Sequence, residues 1–166
     1  FQAEDGIRAA QESRGLGDGY KSQLWTLARL RARFEALTGS VVARAALGGA
    51  LLVALAAAAN ALLGEPVTLG AGLPVANDLL AGRHALWAAL AIFGLKLLAT
   101  SVTFGCGGVG GLFVPTATMG AALGAAFDAA LAPSQPGVYT LLGIAAFAGA
   151  SYNSLLFAAV FVAEAT

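Results

Sequence analysis

Gly105-Cys-Gly-Gly-Val-Gly-Gly-Leu-Phe-Val-Pro115 runs directly into Thr116-Ala-Thr-Met-Gly-Ala-Ala-Leu-Gly124. Crowded glycines give way to a proline and then to a run of small apolar residues. Proline is tolerated in the first turn of a helix, where its missing N–H would have no partner anyway. The sequence therefore predicts a helix start near Pro115, with irregular backbone before it. Apolar sequence on both sides sets this loop at membrane depth. Non-helical backbone persists there only where protein buries it or where it lines a polar cavity. Its N–H groups, added to the positive end of the helix dipole, suit a small anion. The predicted site is made of backbone.

Composition fixes the class. The chain is 58% hydrophobic and only 11% charged, with a mean hydropathy of +0.79. Soluble domains average about 45–50% apolar and about 25% charged residues. The reading is an integral, multi-pass membrane protein, placed in the cell membrane with the lipid bilayer as its solvent. Net charge is zero, so a nucleic-acid partner has no electrostatic support. One cysteine, Cys106, rules out an internal disulfide and a cysteine-built metal site. It reads as a small residue in a tight loop, with a reactive thiol as the alternative. The lone His84 has no His, Cys or carboxylate at ligand spacing, so neither a metal nor a cofactor is expected.

Residues 1–23 stand apart: they are polar, mixed in charge and without periodicity. They resemble translated adapter read-through and are read as a non-native extension, with a disordered tail as the alternative. Residues 24–166 form the expected partial transmembrane domain. Arg29, Arg31 and Arg33 beside the first apolar span set that end on the cytoplasmic side. Thr38-Gly-Ser40 is expected to cap a crossing helix over Val41–Leu63. A Gly/Pro-punctuated connection follows to Arg83, with a short helix over Leu73–Gly82 that only dips into the bilayer.

Ala85–Phe104 is the second crossing, with Lys96 deep inside it. An intramembrane cation usually faces the bundle interior or a water-filled cavity. Lys96 either pairs structurally, with a carbonyl or with Asp128 or Glu164, or lends a positive field to an anion nearby. Pro115–Leu131 reads as a half-helix, too short for a full crossing. Asp128, near its C-terminal end, is unfavourable relative to the dipole and is expected to reach the interface or find a partner. After a turn at Ala132–Gly137, two short helices are expected over Val138–Ala150 and Ser154–Thr166.

Gly105-x-Gly107-x-x-Gly110, with Asp128 downstream, also fits a dinucleotide fingerprint. That motif needs a strand before it and a helix after it, whereas a long apolar helical segment precedes it here. No constellation for enzyme chemistry is present. The remaining alternative is a glycine-rich corner in a non-conducting helical bundle of another transporter or assembly protein.

Gly111-Leu112-Phe113-Val114-Pro115 resembles the G-x-F-x-P signature of the CLC chloride channels and chloride/proton exchangers. Lys96 stands where that family carries a Lys or Arg before the signature. Gly120-Ala-Ala-Leu-Gly124 is similar to the family's G-A-A-x-G continuation, and Glu164-Ala-Thr166 to its E-x-T ending. The resemblance covers roughly residues 38–166. It implies an all-α polytopic membrane protein with broken, re-entrant helices, here a fragment of the C-terminal half. It further implies transport of chloride or a similar small anion by a homodimer. The ion would be held by backbone amides in Gly111, Leu112, Phe113 and Val114, chiefly those of Leu112 and Phe113. Gly110 and Pro115 would support the loop and the helix start, and Lys96 would act electrostatically.

Overall fold

The computed structural model describes residues 39–70, 72–131 and 137–152, with positions 29, 32–34, 36, 154, 160 and 164 besides. The readings placed on 1–23, on Arg31, on the 132–136 turn and on most of 155–166 lie outside the described residues. Every regular element among those described is a helix: α1 Val41–Leu63, α2 Leu73–Leu80, α3 Leu86–Gly105, α4 Phe113–Leu131 and α5 Val138–Tyr152. Three of them, α1, α3 and α4, are long and apolar enough to cross a membrane.

Helix α1 has the expected bounds. Ser40 occupies its N-cap with extended backbone, but its side chain makes no capping bond; the Ser40 carbonyl accepts from Arg44 N–H at 3.1 Å. Only Gly48, Ala56 and Ala59 are buried along it. The valines and leucines it leaves exposed suit a hydrocarbon solvent. Gly48 marks the contact with α3, because a Cβ there would run into the Cys106 side chain. Cys106 is thus a packing residue against α1.

The short α2 spans eight residues, about 12 Å at 1.5 Å per residue, and does not cross. Val75 and Leu79 turn inward and join Ile92, Ala121, Ala122, Ala125 and Ile144 in the core. Alanine dominates that core. Between apolar helices in lipid there is little hydrophobic drive, so close van der Waals packing of small residues holds them.

Helix α4 starts at Phe113, two residues before the expected start. Thr116 N–H donates to the Leu112 carbonyl at 3.0 Å, which makes Leu112 the cap and Pro115 the third helical residue. Proline is compatible with any first-turn position, since none of those N–H groups has an i−4 acceptor inside the helix; the sequence rule could not tell one from another. At 19 residues the helix is about 28 Å long, close to the ~30 Å hydrocarbon thickness, so the expected half-helix is corrected to a membrane-length one.

The packing of α4 against α5 is the most extensive in the molecule. A Cβ on Gly124 would strike the Tyr139 carbonyl oxygen and lie 2.5 Å from the Thr140 Cα. Gly120 and Gly143 face each other with the same lack of room. Edge-on contact of Phe93 with Phe147, centroids 6.2 Å apart, ties α3 to α5. Asp128 finds its partner here. One carboxylate oxygen accepts Tyr139 N–H at 3.1 Å, and the other accepts Thr140 N–H at 2.9 Å and the Thr140 hydroxyl at 2.6 Å. A charge badly placed on its own helix therefore caps the N-terminus of the next one, where the dipole favours it. Helix α5 runs two residues past its expected end, and Ser154 N–H closes onto the Gly149 carbonyl at 3.2 Å.

Gly124→Ala is expected to cost about 1–3 kcal/mol, because its methyl group meets backbone that cannot move aside. Thermal melting in detergent checks this, and an unchanged midpoint would contradict the close contact.

Candidate anion site at the start of α4

The glycine loop divides into two halves with different fates. Cys106 N–H donates to Val102, Gly107 to Phe104 at 3.1 Å and Gly108 to Thr103 at 2.9 Å, with Gly107 at φ +92. The last two bonds and the left-handed glycine make the Schellman ending of a helix. These N–H groups are spent on finishing α3. A Cβ on Gly108 would lie 2.6 Å from the Thr103 oxygen, so that glycine is required by the turn.

The second half is different. The N–H groups of Gly110, Gly111, Leu112 and Val114 meet no acceptor among the described residues. Leucine at the cap position offers no side-chain oxygen, so α4 begins uncapped where α5 begins on a carboxylate. Thr116 and Thr118 turn their hydroxyls back onto the Phe113 and Val114 carbonyls, at 2.7 and 2.9 Å. These bonds leave the N–H side of the first turn untouched.

A cavity of about 400 Å³ opens at this point, and Gly110, Gly111, Val114 and Pro115 form one wall of it. Lys96, Ala99, Thr100, Thr103 and Phe104 of α3 form another, and Thr68 and Gly70 complete the lining. The structure thus brings together Lys96 and four of the residues singled out in the loop. Leu112 and Phe113 lie between them in sequence, half-buried, but are not part of this lining. Neither Gly110 nor Gly111 would bring a Cβ within 4 Å of any atom. Both are exposed, and neighbouring described protein does not require them to be small.

Lys96 is 2% exposed. Its Nζ donates to the Gly70 carbonyl at 2.9 Å and lies 3.5 Å from those of Val67 and Thr68. The ammonium is held by carbonyls of the α1–α2 connection, and Asp128 is engaged elsewhere. The connection reaches Lys96 because Gly70 and Gly72 both take positive φ, +68 and +96. A Cβ on Gly72 would lie 2.6 Å from Thr118 Oγ1 and 3.2 Å from Lys96 Nζ. Sequence reasoning gave this connection no role. The paired glycines, Gly70-x-Gly72, were its one legible signal.

Among the described residues no carboxylate lines the cavity, and no group of His, Cys, Asp and Glu able to hold a metal occurs. Asp78 is paired with Arg83 away from it. The cavity combines hydroxyl groups, backbone N–H groups and one buried cation.

A profile of the voltage gated chloride channel family matches residues 16–166. The chain is 32% identical over 108 residues to the H(+)/Cl(-) exchange transporter ClcA of Citrobacter koseri, covering 61% of this chain and 23% of that protein. The protein of that name from Klebsiella pneumoniae is 30% identical over 141 residues, 80% of this chain and 29% of its own length. The one from Vibrio campbellii is 30% identical over 111 residues, 63% and 24%. The chain spans about a quarter of the length of these relatives. No solved structure matches it. The chain belongs to the voltage gated chloride channel family and is a multi-pass integral membrane protein.

Lys96→Met is expected to lower stability by about 1–3 kcal/mol, since it strands buried carbonyls of the 67–70 segment. Melting in detergent and faster proteolysis within 64–72 would register it; unchanged values for both would show that the ammonium does not hold the connection.

Proposed function

We propose, from membership of that family, that this chain contributes to moving chloride or a similar small anion across a membrane. The ion would be held by N–H groups of the Gly111–Val114 turn at the start of α4. One observation carries the reading: the uncapped half of the glycine loop and the buried Lys96 line a single cavity. Each component favours negative charge. The N–H groups of Gly110, Gly111, Leu112 and Val114, which meet no acceptor among the described residues, lie at the positive end of the α4 dipole. A fixed unit charge on the wall of the same cavity favours an anion through its field without touching it. Lys96 thus acts on an ion through the field while its donors stay on carbonyls. Binding of this kind is moderate, as conduction requires, because an ion held too tightly does not leave.

Lys96 also supports the competing reading of a non-conducting bundle, because its ammonium is bonded to backbone carbonyls of the α1–α2 connection. What favours the anion is the open space at Gly111. Had the glycine been needed for helix packing, a Cβ there would meet protein atoms, and it meets none.

Gly111→Val separates the two. A Cβ at this position strikes no neighbouring atom, so the melting temperature is expected to hold while chloride efflux from proteoliposomes falls about ten-fold or more. Normal folding with undiminished efflux would refute the amide cradle.

A further inference from the structure

Helix α3 turns a single stripe toward the cavity: Lys96, Ala99, Thr100, Thr103 and Phe104 line it, and the residues between them do not. Steps of three and four residues mark one face of a helix, and Thr100 stands at the middle of that face. It is 6% exposed. A threonine or serine inside a helix can turn its hydroxyl back onto a carbonyl three or four residues earlier. Thr103, Thr116, Thr118 and Ser151 all do so, and Thr140 donates to Asp128. Among the described residues the helical hydroxyls left without a partner are those of Thr100 and Ser101. Ser101 is off the stripe, and its oxygen is sealed inside the protein. The Thr100 oxygen is not among the sealed ones, so the face that it occupies gives it open space.

We propose that Thr100 is an anion-ligating residue: its hydroxyl, presented by the middle of the α3 stripe, donates a hydrogen bond to the small anion held at the start of α4. The inference rests on the anion reading of the cavity given above. A hydroxyl donates or accepts as its partner demands. Among the described residues the lining carries the Lys96 ammonium, one turn from Thr100, and no carboxylate. A negative ligand that accepts a hydrogen bond fits those surroundings, and a cation would meet Lys96 without compensation. Gly110, Gly111 and Val114 stand on another wall of the same space. Donors from two segments would then share the ion, amides from one and a hydroxyl from the other. Thr103, one turn further along the stripe, cannot take this part, because its proton is spent on the Ala99 carbonyl at 2.8 Å.

The test uses purified protein in detergent, with sodium chloride titrated against sodium isethionate at constant ionic strength. Melting temperature and calorimetric affinity are read for the wild type, Thr100→Val, Thr100→Ser and Thr103→Val. Ligand binding to the folded state raises the melting temperature. Thr100→Val keeps the shape and removes a hydroxyl that no protein group uses, so without chloride it should melt at or above the wild-type temperature. Its chloride affinity should fall about ten-fold or more, while Thr100→Ser and Thr103→Val stay within about three-fold of wild type. Wild-type affinity in Thr100→Val would remove Thr100 from the site and leave the amide cradle standing. A wild-type protein with no chloride dependence at all would remove the anion reading and this inference together. A lower melting temperature for Thr100→Val without chloride would make the hydroxyl structural and overturn the proposal. Equal losses in Thr103→Val, or in Thr100→Ser, would trace the effect to the shape of the wall and overturn it as well.

Discussion

A single ammonium, buried in the middle of an apolar helix, organises this molecule. Among the described residues Lys96 has no carboxylate partner, and it takes carbonyl oxygens from the connection between α1 and α2. Placing an unpartnered cation at membrane depth is costly, and the connection answers by folding back over α3. Gly70 and Gly72 make that return possible, the second because no side chain fits between Thr118 and Lys96. Thr68 and Gly70 put part of the irregular backbone that results on a cavity wall. There it shields a charge, and lining a cavity is the circumstance in which such backbone is tolerated.

The second constraint is closeness. Helices in this bundle carry few large buried side chains; alanine and glycine fill the contact between α4 and α5. Backbones that approach this far bring helix ends near each other as well. Asp128 uses that proximity to cap α5 from the neighbouring helix. The contrast with α4 is instructive. Both helices follow a turn, but α5 begins on a carboxylate and α4 begins on a leucine with a cation nearby. The first start is satisfied from within the fold. The second has no side-chain oxygen at its cap position.

Much of this was legible in the chain. The bounds of α1 were read to the residue, and those of α3 and the short α2 nearly so, because long apolar runs between glycines and prolines leave little choice of where a helix lies. The start of α4 was displaced by two residues for a definite reason: proline marks the first turn of a helix without marking a position in it. The loop was read as uniformly open, whereas Gly107 and Gly108 complete α3. Glycine count alone does not separate a helix ending from an exposed turn; only the direction of each N–H does.

The sequence by itself determined the solvent of this protein, the order of its helices, and the break in the chain before α4. Those follow from hydropathy, chain punctuation and the chemistry of a helix start, all of them local. The partners of Lys96 and Asp128, and the placing of Thr68 and Gly111 on one cavity, were decided by tertiary structure alone. They join residues 11 to more than 40 positions apart, and contacts of that range depend on how closely helices pack, a property written in no single stretch of the chain.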